Sequence, residues 1–141
     1  AENYLAETCR AMLTGDFGTF EKHVAPPYRV SFFDKNFEYK NLTTLKLGFD
    51  SVCDDLEKMV ITDFIRICIS AALIDDSTIH FSHMSHLISH GTLVKPPYPC
   101  FTQGKLLDGS WKMTSSDYAF DPESPTAIAM FKAAQTIQQE P

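Results

Sequence analysis

The sequence is poor in the features that nucleotide- and cofactor-handling proteins need. It has six glycines, with no Gly-x-Gly-x-x-Gly, no Walker loop and no Gly-x-Ser-x-Gly elbow. Nothing points to a nucleotide, a flavin or an acyl-enzyme, and no cofactor is expected. There is no basic surplus either: 12 Lys and Arg stand against 18 Asp and Glu, for a net charge of −6. That is the wrong sign for the basic face on which nucleic-acid binding rests. No apolar run is long enough to cross a bilayer and no leader is visible, so the expected location is cytoplasmic. The chain opens on Ala1 without Met, which fits a trimmed N-terminus. Four cysteines, Cys9, Cys53, Cys68 and Cys100, lie far apart with no Cys-x-x-Cys pair. They read as reduced, buried small hydrophobes rather than a disulfide framework.

What is present is ordinary for a globular chain. Its 141 residues are 44% apolar and 21% charged, enough for one domain, 1–141, with a real core. Leu5, Cys9, Met12 and Leu13 make one helical stripe over 3–14. Thr14-Gly15-Asp16 breaks it, with Asp16 a cap for a short second helix carrying Phe17, Phe20 and Val24 and ended by Pro26-Pro27. Tyr28–Asp34 is β-branched and aromatic, and Phe37–Tyr39 continues it after a turn at Lys35-Asn36. Asn41 caps a long amphipathic helix through Leu42, Leu45, Phe49, Val52 and Leu56. From there on the signals are strands: Ile61–Ala71, Thr78–Val94, Tyr98–Leu107 and Ser110–Phe120. The acidic turn Asp75-Asp76-Ser77 and the hairpin signal Asp108-Gly109 punctuate them. A tail helix follows Pro122 and Pro125, with Ala127, Met130, Phe131 and Ala134 on one face and a polar end that frays. Strands in hairpin succession pair antiparallel. The expected fold is α+β: a curved antiparallel sheet wrapped around helices and enclosing a conical pocket floored by the long helix.

The segment Ile61–His90 draws attention. Alternation puts Ile61, Asp63, Ile65, Ile67, Ile69 and Ala71 on one row, and Thr62, Phe64, Arg66, Cys68 and Ser70 on the other. Asp63 is the one polar member of an apolar row, where an unpaired carboxylate is costly. Partners are near in sequence: four of the five histidines are His80, His83, His86 and His90. Their spacing also suits a helix face, but the Ser and Thr content and the flanking strands favour a strand. On a strand, His80, His86 and His90 cannot easily aim at one ion, so no metal is expected. His83 falls on the opposite row and reads as structural or exposed.

Taken in order, the N-terminal helix ending Thr14-Gly15-Asp16-Phe17, the exit Val24-Ala25-Pro26, the long third helix and the closing Leu107-Asp108-Gly109-Ser110-Trp111-Lys112-Met113 resemble the SnoaL-like branch of the nuclear transport factor 2-like superfamily. The likeness covers about 3–120, with the tail, 121–141, outside it. In type the chain is most similar to scytalone dehydratase, polyketide cyclases and fungal meroterpenoid isomerases. An ungapped dehydratase-like alignment sets Asp63-Phe64-Ile65 where that enzyme has a catalytic His followed by Phe-Ile. It also sets His86, Tyr98, Cys100 and Ser116 on cavity positions. Met12 and Phe32 stand where the dehydratase has paired tyrosines, and Ile88 where it has its second catalytic His, so dehydration of scytalone itself is not implied.

The resemblance implies a cofactor-independent isomerase, cyclase or dehydratase of secondary metabolism. Asp63 and His86 would trade protons on a bulky apolar oxygenated substrate, a polyketide or terpenoid. Tyr98, Cys100, Ser116, Phe32, His90 and Thr102 would line the substrate site. A homodimer through the open face of the sheet is the expected assembly. The alternative is a non-catalytic ligand-binding or oligomerisation module of the same fold.

Overall fold

The computed structural model describes residues 2–33, 35–119 and 123–136. The chain runs α1 (Glu2–Thr14), α2 (Phe17–Glu21), β1 (Val24–Phe32), β2 (Lys35–Tyr39), α3 (Leu42–Lys58), β3 (Asp63–Asp75), β4 (Thr78–Ser89), β5 (Thr92–Leu93), β6 (Tyr98–Leu107), β7 (Ser110–Tyr118) and α4 (Pro125–Thr136). Local chemistry sets the boundaries. The Asp16 carboxylate accepts from the Thr19 N–H at 3.1 Å and starts α2. Asn41 and Thr44 form a reciprocal capping box at the head of α3. Asp108 and Gly109 take φ of 50° and 80°, which turns β6 tightly into β7.

The strands form one curved, unclosed sheet in the order β2-β1-β7-β6-β4-β3, with β5 on β4. The sheet is α+β in context but mixed, not wholly antiparallel as expected, because β1 and β7 pair in parallel. Hairpin logic sets β1–β2, β3–β4 and β6–β7, and is silent on how the first hairpin meets the last. Three local expectations also change. Pro26 and Pro27 lie inside β1 rather than ending α2, beside a register shift between Val24 and Arg29 on the β7 side. Residues that cannot donate to a ladder are tolerated at such an irregularity. Lys35 and Asn36 belong to β2, not to a turn. The run expected to reach Val94 stops at Ser89, where His90 (φ 50°) and Gly91 (φ 83°) turn back into β5. Phe120 and the polar end of the tail, 137–141, lie outside the described residues.

The core sits between the concave side of the sheet and the helices. α3 presents Leu45, Phe49 and Leu56, β1 Val30 and Phe32, and α1 Leu5. α4 packs on α3 and β2 with Ala127, Met130 and Ala134 buried, and the Tyr39 hydroxyl donates to the Met130 carbonyl at 2.9 Å. No helix among the described residues is long and apolar enough to cross a membrane.

One glycine is demanded by close approach. A Cβ on Gly48, in α3, would lie 2.4 Å from Tyr39 Cζ, and Tyr39 is held by its hydroxyl bond to Met130. Gly48→Ala should therefore destabilise the protein by about 1–3 kcal/mol through overpacking. That outweighs the roughly 0.5–1 kcal/mol a helical glycine usually gains from alanine. Urea denaturation of the two proteins checks it.

Candidate functional site

Which row of each strand faces the helices decides the site. On β3 the row Asp63, Ile65, Ile67, Ile69 faces away from them. These three isoleucines are 46%, 51% and 63% exposed, and Asp63 is exposed too. Phe64, Arg66 and Cys68 face inward. On β4 the inward row is Phe81, His83, Ser85 and Leu87, all buried. Register then aligns residues across strands. Arg66 pairs with Ser85 and Ser85 with Tyr98, so the three stand on one rung of β3, β4 and β6. The next rung carries Cys68, His83, Cys100 and Tyr118.

The Arg66–Ser85–Tyr98 rung forms one wall of a cavity of about 60 Å³. Val52, Asp55 and Leu56 of α3, Met59 at its C-cap, Met12 of α1 and Met130 of α4 oppose it. Phe64, Leu87, Lys95 and Tyr118 complete the lining. The cavity is thus apolar on the helix side, apart from Asp55, and polar along the sheet rung.

Arg66 is the strongest charge in this interior. Its Nη2 donates to the Leu5 carbonyl at 3.1 Å and to the Thr8 hydroxyl, and its Nε to Cys9 Sγ at 3.0 Å. The rings of Tyr4 and Phe64 flank it at 5.6 and 5.3 Å. Burial opposes its charge, but Cys9, Tyr4 and Tyr118 more than offset that, so its pKa lies above the ordinary value. Burial pushes the Tyr98 phenol up to about 12 against the pull of the Ser85 hydroxyl and the Arg66 charge. It pushes Tyr118 well up too. Both phenols are neutral donors at physiological pH. Lys95, with its Nζ 4.9 Å over the Tyr98 ring, is held down by burial, with Asp55 pulling the other way.

Of the residues expected at the site, only Tyr98 lines this cavity. Asp63 begins β3 on the outer face, where its carboxylate accepts from the Thr62 hydroxyl at 3.1 Å. It is not in an apolar surround, because the isoleucine row it belongs to is the solvent-facing one. His86 is half-buried on the same outer face, with Nδ1 3.4 Å from the Ile65 carbonyl. Asp63 stands opposite Ile88 and His86 opposite Ile65, so the expected acid–base pair faces outward and is a diagonal apart rather than in contact. His90 is exposed in the turn after β4. Phe32 is fully buried between Phe37 and Tyr118, each ring 5.6 Å away, and serves the core. Cys100, Thr102 and Ser116 are buried in a relay of their own. Cys100 Sγ lies 3.7 Å from Thr102 Oγ1, which lies 3.2 Å from Ser116 Oγ, which bonds the Tyr28 hydroxyl. Burial raises the Cys100 thiol to about 11, so it is no nucleophile near neutrality. His83, read as structural or exposed, is 1% exposed on the inward row.

Arg66, Ser85, His83 and Asp55 are the polar interior that the sequence reading passed over. The signal for Arg66 was there: a single cation between Phe64 and Cys68 on a row otherwise without charge.

Neither protein-family models nor curated protein sequences match the chain. Solved structures do match in shape. An NTF-2 like protein of unknown function from Shewanella oneidensis shares 10% identity over 84% of this chain and 94% of its own, with TM-score 0.61. A cystatin-like fold protein of unknown function from Nostoc punctiforme shares 14% identity over 87% and 90%, with TM-score 0.63. A "putative ketosteroid isomerase" from Shewanella frigidimarina shares 12% identity over 83% and 92%, with TM-score 0.61. At such identities the likeness shows the fold, which is the NTF2-like cone.

His83 gives the site a pH signature. Burial first, and the Arg66 charge second, lower its pKa from 6.5 to about 3. The unfolded chain protonates this imidazole near 6.5 while the folded one does not. Stability is therefore full above that value and falls as the pH drops from 6.5 toward 3, by up to about 5 kcal/mol. In His83→Leu that acid limb should flatten, with stability at pH 7 equal or higher. Urea midpoints measured from pH 7 to pH 4 check it.

Proposed function

We propose that the cone cavity is the working site and that the chain is a small-ligand-binding domain of NTF2-like fold, taking an oxygenated molecule. The observation that supports this is the arrangement of polar side chains along one rung, Arg66, Ser85 and Tyr98, facing an apolar helical wall across an enclosed space. Size favours a small ligand over the bulky polyketide or terpenoid. The cavity holds about 60 Å³, whereas pockets for drug-sized ligands run from roughly 300 to 1,000 Å³. Met12, Met59 and Met130 are the adjustable part of the wall, since unbranched thioether side chains repack at low cost.

A second reading, the cofactor-independent isomerase or lyase, keeps one specific support. Asp55 lines the same cavity as Tyr98. A carboxylate there can take a proton from a carbon next to a carbonyl whose oxygen Tyr98 holds. Returning that proton to another carbon isomerises the substrate, and loss of a leaving group from the enolate makes the reaction an elimination. Amide-detected titration with small ketones in H2O, together with α-proton exchange of the same ketones in D2O, separates the two readings. Perturbation centred on residues 66, 85 and 98 without α-proton exchange fits the binder. Exchange that falls by about 10²-fold or more in Asp55→Asn fits the catalyst. Ketones that perturb nothing in the cavity would remove both.

The outer face of the sheet suits a second copy of the chain. Ile65, Ile67 and Ile69 of β3 and Phe101 of β6 are exposed there, an apolar area of the kind soluble monomers seldom leave open. Arg29 and Asp117 on the same face give a two-fold related copy opposite charges to meet. Light scattering should give twice the mass of the chain, and Ile67→Lys should return it to the single mass.

A further inference from the structure

The polar rung carries more donors than the protein itself uses. The Ser85 hydroxyl and both ring nitrogens of His83 are buried and make no hydrogen bond of ordinary geometry among the described residues, although the Tyr98 hydroxyl is near enough to Ser85 to feel its pull. Ser85 faces the cavity and His83 stands one rung deeper on the same inward row. Arg66 adds a charge without a counter-charge. Its bonding partners are a carbonyl, a hydroxyl and a thiol, which satisfy N–H groups but leave the net positive charge in place. Among the described residues no carboxylate lies within ion-pair distance of it. A cation kept out of water without an anion is costly unless something supplies one.

We propose that the deep wall of the cone receives the carboxylate of a short-chain organic acid, with Arg66 as its counter-charge and Ser85 as a hydrogen-bond donor. This rests on the cavity being the ligand site and names the class of ligand. Lys95, the other cation of the lining, lies by the Tyr98 ring and feels Asp55, so the deep wall carries the one charge of Arg66 and suits a singly charged group. The volume agrees: about 60 Å³ takes on the order of four to six water-sized groups, enough for a carboxylate and a chain of a few carbons. The chain would lie against Met59, Leu56 and Met130. Neutral His83 behind Ser85 donates to, or accepts from, a water held by the carboxylate.

The test compares butyrate with butyramide, which has the same shape and no charge, by amide and side-chain NMR titration of the full chain. Butyrate is expected to bind at least tenfold more tightly and to shift the signals of Arg66 Nε, Ser85 and His83. Arg66→Gln should erase the preference. Because Arg66 also ties α1 to β3, Ser85→Ala is the companion variant. It removes one small hydroxyl that makes no hydrogen bond of ordinary geometry, leaves the α1–β3 tie in place, and should narrow the preference severalfold. Equal binding of the two probes in the cavity overturns the carboxylate assignment while leaving the cavity as the ligand site. Butyrate shifts confined to the surface also overturn it, and no binding by either probe overturns both.

Discussion

The Arg66 guanidinium anchors the architecture. It reaches from β3 across to the first helix, donating to the Leu5 carbonyl, the Thr8 hydroxyl and Cys9 Sγ, with Tyr4 and Phe64 on its flanks. Side chains on a strand alternate, so fixing Arg66 inward fixes its neighbours on β3 as far as the register shift that follows Cys68. With Arg66 inside, Phe64 and Cys68 follow it inward, and Asp63, Ile65 and Ile67 must face out. β4 and β6 take their facing from the ladder, which brings Ser85 and Tyr98 alongside. A bond between a helix and a strand thus determines what the cavity can contain.

Much of the fold was legible because it rests on local rules. The stripe of α3, the Asn41 cap, the Asp108-Gly109 turn and the strand character of the histidine-rich segment all follow from periodicity and short-range chemistry. The candidate site is not legible in the same way, for one reason: hydrophobic alternation points the more apolar row of a strand inward. That rule holds where a sheet has one buried, hydrophobic face. Here the inner face carries Arg66, Ser85, His83 and Tyr98, while isoleucines occupy the outer one. Choosing by hydrophobicity selected Asp63 and His86 and passed over Arg66. The parallel meeting of β1 and β7 was also out of reach, since it depends on contacts between residues some ninety positions apart.

The interior combines two properties that usually exclude each other. Its polar groups are rigidly placed, because each sits on a central strand paired on both sides or is tied to a helix. The wall facing them is soft, with methionines from α1, from α4 and from the C-cap of α3. Rigid donors select for a functional group, and a soft wall tolerates variation in the carbon skeleton attached to it. A fold used for many chemistries can change substrates this way without rebuilding its polar centre.

Because β3 ends the sheet order, its thirteen residues form an open edge. A long aliphatic edge strand is a template on which a second chain can add by backbone hydrogen bonding. The ends of this strand are Asp63 and Asp75. If two copies aligned their β3 edges antiparallel over their full length, Asp63 of each would lie opposite Asp75 of the other, placing like charges together at both ends. Two like-charge pairs at the strand ends would therefore weigh against edge-to-edge growth in that register.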